Sequence, residues 1–185
     1  MKIKGTVINA RKEFIKENYG EEAWEKVMSV LPDADKSILK GSLLSSMWYP
    51  FEIGDRLDSA IVKVLGRGQI SFFEEVGAIS ARKGLAKEHK SFLVQGNPQA
   101  FLKKAGIIYK FYYDKGRREY RETGPLSGIM TTYESESNSA HDCMTVIGWH
   151  KEALKFCGAK QVTMIEEECL AKGGSCCRYR IQWTM

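Results

Sequence analysis

No stretch of this 185-residue chain approaches the roughly 20 uninterrupted apolar residues that a bilayer crossing needs. The opening residues, MKIKGTVINARKEF, carry charge but lack an apolar run of the secretory kind. Both absences lead us to expect a soluble, cytoplasmic protein with no membrane partner. Charge of one sign is also scarce: 28 basic residues face 23 acidic ones, interleaved in stretches such as RKEFIKENYGEEAWEK and RREYRE. Without a basic arm, a helix-turn-helix or an RNA-binding fingerprint, nucleic acid is not expected as a partner. Dinucleotide, P-loop and flavin signatures are missing too, so no enzyme is expected. The one pair that hints at catalysis, His141-Asp142 beside Cys143, reads more simply as a helix start capped by Asp142 or Ser139. Repeats, low-complexity tracts and an interdomain linker are absent as well, which makes residues 1–185 one domain.

What is present is a core. Apolar residues make up 43% of the chain, enough for a folded domain of this length. EEAWEKVMSVL spaces Ala23, Trp24, Val27, Met28 and Leu31 as one helical stripe, closed by Pro32. Asp33 or Asp35 is positioned to cap a short helix after it. From Pro50, at a helix start, a stripe of Phe51, Ile53, Leu57, Ile61, Val62 and Leu65 runs to glycines 66 and 68. Ile70 to Leu85 forms another amphipathic run. Asn97 caps a helix that begins at Pro98, carries Phe101, Leu102, Ile107 and Ile108, and ends in YKFYYD. From Arg117 the period falls from near 3.6 to 2. RREYRET and SGIMTTYES predict a hairpin turning at Gly124-Pro125. MTVIGWHKEALKFCG returns to helix, and QVTMIEE with CCRYRIQW predicts a second hairpin turning at Gly173-Gly174. The fold class is therefore α+β: a mainly helical part over residues 1–115, then a strand–helix–hairpin part over residues 116–185, with the helix inserted between two antiparallel hairpins.

Three of the five cysteines fall within nine positions beside three glutamates, in MIEEECLAKGGSCCRYRIQW. In a reducing compartment such clusters favour metal ligation or core packing over disulfides. Strand alternation turns Cys177 inward with Tyr179, Ile181 and Trp183, and leaves Cys176 with the arginines as a surface thiol. Glu166 shares a face with Val162 and Met164, where a bare carboxylate needs a partner. A hairpin of this kind gathers Glu166, Cys169 and Cys177. Upstream, Cys143, His150 and Cys157 share one helical stripe. Cys157 lies ~21 Å and His150 about 10 Å along the axis from Cys143, so at most one of the three can join the hairpin residues. Cys157 reads as core. The residues alone leave metal and packing both open.

The stretch Glu166, Cys169, Ala171, Gly173, Cys177 and Tyr179, with Gly148-Trp149 and KEAL upstream, resembles the C-terminal signature of the 4-vinyl-reductase type of domain. The WYPFE and NPQAFLKKAG segments resemble a small bacterial family related to it, so the likeness spans nearly the whole chain. The relatives include phenol-sensing domains of bacterial transcription activators, which hold zinc on three cysteines and a glutamate. Carried over by spacing, the resemblance implies a structural zinc site on Cys143, Glu166, Cys169 and Cys177, with Glu167 and Glu168 near enough to replace Glu166. Four protein ligands would close the zinc shell and exclude catalysis by the metal. The fold implied is that of the TRAPP vesicle-tethering subunits and the heme nitric-oxide sensors, and the implied assembly is a homodimer.

The helical part is crowded with aromatics, most of which belong in a core. In the phenol-sensing relatives a pocket among such residues holds a small aromatic effector. Trp48, His89 and Tyr112 are the ligand-binding candidates here by their setting. The porphyrin-anchoring motif of the heme relatives, Y-x-S-x-R, meets YESES at Tyr133 to Ser137, with serine in place of arginine. The helix before it contains no histidine, so the sequence argues against heme. The expected function is binding of a small hydrophobic or aromatic ligand and signalling to a separate protein. The alternative is a ligand-free interaction scaffold like the vesicle-tethering subunits.

Overall fold

The computed structural model describes residues 1–86, 89–136 and 138–185. A short strand β1 (Lys2–Lys4) leads into helices α1 (Gly5–Tyr19), α2 (Glu21–Ser29) and α3 (Asp33–Lys40). Strand β2 (Trp48–Pro50) pairs antiparallel with β1 and runs directly into α4 (Phe51–Val64), followed by α5 (Phe72–Ala86). Helices α6 (Pro98–Leu102) and α7 (Ala105–Tyr112) precede strands β3 (Arg117–Gly124) and β4 (Ser127–Tyr133). The long helix α8 (Ala140–Phe156) then connects to β5 (Val162–Glu168) and β6 (Cys177–Trp183). The four later strands form one antiparallel sheet in the order β3-β4-β6-β5, so the α+β expectation holds.

Local chemistry explains most boundaries. Glu21 and Glu22 sit in the first turn of α2, where they complement the helix dipole. Asn97 caps α6 by accepting from the Ala100 amide at 2.9 Å, with Pro98 inside the first turn. Elsewhere the predicted caps fail. The N-cap of α3 is Pro32, without a side-chain bond, and Asp35 is instead buried against Arg56 at 2.6 Å. At α8, Ser139 stands at the N-cap position and Asp142 in the first turn, but neither makes a side-chain cap bond. Ser139 meets His141, and Asp142 accepts from the Tyr113 hydroxyl. The helix expected as one run from Pro98 breaks at Lys103-Lys104, which exposes Ile107 (59%) while Ile108 stays buried.

Two apolar lobes make the core. One gathers α1, α2 and α4, and the other gathers α6, α7, α8 and the inner face of the four-stranded sheet. The inner face of β6 is Cys177, Tyr179, Ile181 and Trp183, all buried, as the alternation predicts. Each large apolar side chain there contributes about 2 kcal/mol on burial. Helices α5 and α8 join the lobes and cross at glycine. A methyl at Gly148 would collide with the Glu74 carbonyl, and one at Gly77 with the Thr145 carbonyl. This backbone-to-backbone approach fixes the position of α8.

Candidate functional site

Helix α8 begins at a cluster of thiols. Cys143 lies in its first turn, with the Ser139 carbonyl accepting from its amide at 3.0 Å. Cys169 follows β5 and Cys177 opens β6, so three separate elements deliver one sulfur each. The Cys143 sulfur is 3.7 Å from that of Cys169 and 3.6 Å from that of Cys177. All three are buried free thiols whose sulfurs lie within 4.8 Å of one another. The Cys143 thiol and the Leu170 amide both donate to the Cys177 sulfur, which brings its pKa down to about 7. The same hydrogen bond, reinforced by burial, pushes Cys143 up. Cys177 is thus the sulfur that accepts hydrogen bonds from both sides.

A bulge separates the three glutamates. Glu166 pairs with Tyr179 and Glu168 with Arg178, which leaves Glu167 without a partner of its own in the ladder. Glu167 turns out to Arg180 at 2.8 Å. Glu168 is held by the Ser175 amide and hydroxyl, both at 2.7 Å, and by Arg178 at 3.1 Å. Glu166 alone borders the thiols, adding charge beside Cys169. One of its oxygens accepts from Lys172 at 2.5 Å, and the other, Oε1, is buried with no hydrogen-bond partner among the described residues. Two of the carboxylates that the sequence leaves interchangeable are therefore engaged elsewhere. Cys176, expected as a surface thiol, is only 1% exposed, and Cys157 is core as expected. The strand begins one residue later, at Cys177, so outward alternation does not reach Cys176.

The same helix walls a cavity of about 390 Å³ between α1, α5, α7 and β3. Its apolar surface comes from residues such as Val7, Ile79, Ile108 and Trp149. Of the three ligand candidates from sequence, His89 and Tyr112 line it. Trp48 does not: it sits on β2 with the Lys4 ammonium 4.0 Å over its ring. Polar groups that sequence reasoning passed over complete the wall. Arg11 is 4% exposed and forks onto Asp58 at 3.1 and 3.2 Å, with Asp142 at 3.6 Å. Burial raises Asp58 to about 6 despite that guanidinium. Arg118, 8% exposed, donates from Nε to the Thr132 hydroxyl at 2.9 Å and lies 4.9 Å over the Tyr109 ring. His150 is buried with Nδ1 2.8 Å from the Val146 carbonyl, so Nδ1 carries the proton. Its Nε2 keeps a lone pair and has no hydrogen-bond partner among the described residues. Burial, aided by Arg118, lowers its pKa to about 3, so the ring is neutral. Two signals for these residues were visible in the sequence. Arg118 falls on the inward phase of β3, and His150 shares the stripe of Cys143 and Ile147.

No family model matches this chain, and no curated protein matches it. Solved structures do match. An H-NOX protein from S. oneidensis, in the Fe(II)NO ligation state, superposes with a TM-score of 0.75 at 13% identity, over 98% of this chain and 99% of that one. An H-NOX protein from K. algicida, in the Fe(II) unliganded state, gives 0.73 at 11%, over 98% and 97%. A variant of Tt H-NOX gives 0.71 at 14%, over 98% and 95%. The chain has the H-NOX fold, one of the two folds the sequence resemblance led us to expect.

This corrects the expectation against heme. Structures of this fold include one solved to probe heme distortion in the H-NOX family, and they match over nearly the full chain. The serine that replaces arginine in YESES, Ser137, lies outside the described residues. A histidine missing from α6 and α7 also decides little, because His89 and His150 reach the cavity from elsewhere. The donors present fit a heme: neutral imidazole nitrogen for iron, and the buried Arg118 guanidinium for a carboxylate.

Proposed function

We propose that this chain is a small-molecule sensing domain, not an enzyme, related to the 4-vinyl-reductase type within the H-NOX fold. Its ligand enters the cavity beside α8, and a zinc ion on Cys143, Cys169, Cys177 and Glu166 ties the C-terminal hairpin to the start of that helix. The observation that carries this reading is the pairing of both features on one helix. A buried triad of thiols sits at its first turn, and a ligand-sized cavity lies against Thr145, Trp149 and His150 further along. Thiolates select a soft ion over magnesium or calcium, and the partnerless Oε1 of Glu166 offers a fourth donor. Heme, when bound, would supply an iron able to take a diatomic gas, with His89 or His150 and Arg118 as the residues to hold it. A cavity of this size favours sensing over a filled-core scaffold. The domain would act as a homodimer and signal to a separate protein.

Elemental analysis of the purified protein, with an absorption spectrum before and after addition of hemin, tests the reading. About one zinc per chain is expected. A protein free of zinc would overturn the metal site. Failure to take up hemin or any small aromatic compound would overturn the sensing function.

A further inference from the structure

The two buried arginines at the cavity differ in one respect. Arg11 has Asp58 and Asp142 within reach, so its charge is matched inside the protein. Arg118 has no carboxylate within 4.0 Å among the described residues, although it is only 8% exposed. Its one side-chain hydrogen bond among them goes to a neutral hydroxyl, that of Thr132, and it also lies over the face of Tyr109 and close to the neutral His150, Tyr113 and Tyr179. Four of the five guanidinium donors are left over. Asp142, an acid on the same cavity wall, is held by Arg11 and by the Tyr113 hydroxyl at 2.8 Å. A guanidinium cannot shed its proton, so burial without a counter-charge is costly. Arg118 lines the 390 Å³ cavity and also the small void of about 30 Å³ that leads to Cys143 and Cys177.

We infer that the missing counter-charge comes from the ligand, and that Arg118 anchors the carboxylate of a small, largely apolar, aromatic acid. The inference rests on the sensing function proposed above and names its ligand class. Trp149, Tyr112 and Ile108 receive the apolar body, and the carboxylate accepts two parallel N–H bonds from the guanidinium fork. His150 presents an acceptor, so a ligand hydroxyl on the ring would add a second polar contact. The carboxylate has two possible sources, a free aromatic acid or the acid side chains of a porphyrin.

Binding of benzoate, 4-hydroxybenzoate and the neutral analogue benzamide is measured by calorimetry on wild type, Arg118→Lys and Arg118→Gln. Hemin and hemin dimethyl ester, whose carboxylates are blocked, form the porphyrin arm. In wild type, the acid forms of one arm should bind and their neutral counterparts should bind at least tenfold more weakly. Arg118→Gln should lose about 10- to 100-fold for the acids and little for the neutral compounds. Arg118→Lys should fall between. Without ligand, Arg118→Gln should melt at or above the wild-type temperature, because it removes an unmatched buried charge, an effect that a structural arginine would not give. Tighter binding by free acids than by hemin identifies the small-acid source, and the reverse identifies the porphyrin. Binding of benzamide or the diester as tight as that of the acids overturns the carboxylate inference and leaves sensing intact. Absence of binding by every probe removes both.

Discussion

Arg118 and His150 show how much one side chain's surroundings decide. Both are buried polar groups beside the cavity, yet one keeps its charge and the other is denied it. For His150 this has a consequence for stability. The folded protein holds the ring neutral down to about pH 3, whereas the unfolded chain takes up a proton near 6.5. Stability from this residue is therefore present above 6.5 and is lost as the pH falls towards 3. Between pH 6.5 and 4 the loss is on the order of 3 kcal/mol. Asp58, raised to about 6, works in the opposite direction over pH 4 to 6. That contribution is common to wild type and variant. His150→Gln should lose stability less steeply on acidification, as read from urea midpoints at pH 7 and pH 4; parallel slopes would show that His150 does not titrate as argued. At the thiols, Cys143→Ser, Cys169→Ser and Cys177→Ser should each abolish bound zinc and lower the melting temperature sharply. Cys176→Ser is expected to cost about 1 kcal/mol, because this thiol is buried, but to leave the zinc content unchanged. Equal zinc loss in all four variants would sink the assignment.

At the level of elements, legibility followed the strength of the pattern. The stripe of α2, the Asn97-Pro98 start of α6 and the inward phase of β6 could be read because each rests on a local rule. Helix α1 could not, since Arg11 interrupts the stripe of Val7, Ile8, Phe14 and Ile15 and is buried with them. The break between α6 and α7 falls at two lysines, good helix formers, and Gly106 just beyond it lies inside α7. The bulge in β5 also leaves no mark, so Glu166, Glu167 and Glu168 looked alike until pairing separated them. Three of the four residues carried over as metal ligands were nevertheless close in space. Trp48 lies off this cavity's lining, and a crowd of aromatics in sequence does not reveal which of them face a void. The glycine crossing of α5 and α8 gives a prediction that belongs to this scale. Gly148→Ala should lower stability by about 3 kcal/mol or more, since the obstacle is the Glu74 carbonyl of another helix's backbone and not a flexible side chain. Gly173→Ala, at a φ of +87° with nothing nearby, should cost about 1 kcal/mol. Chemical denaturation of both variants provides the comparison.

For the whole molecule, the two lobes meet along α5 and α8, and the cavity opens near that seam. Among the described residues no helix is long and apolar enough to cross a membrane. The hairpin of β5 and β6 is joined to α8 by packing and by the thiols, so removing a metal should loosen that end of the protein first. A strong chelator is expected to lower the melting temperature by several degrees and to speed amide exchange in residues 162–183, with zinc restoring both. Unchanged exchange after complete metal removal would assign the hairpin's stability to packing alone.

The close crossing at Gly77 and Gly148 leaves α8 little freedom to bend there, so any displacement of the helix would be shared along its length. Its first turn carries Cys143 and its middle carries Trp149 and His150. A ligand that preferred one position of the helix would then alter the affinity of the thiols for a bound ion, and thermodynamic reciprocity would make that ion change the ligand's affinity by the same factor. The cavity and the cysteine cluster would then act as two inputs to one lever, and the metal would set how sensitively the ligand is felt.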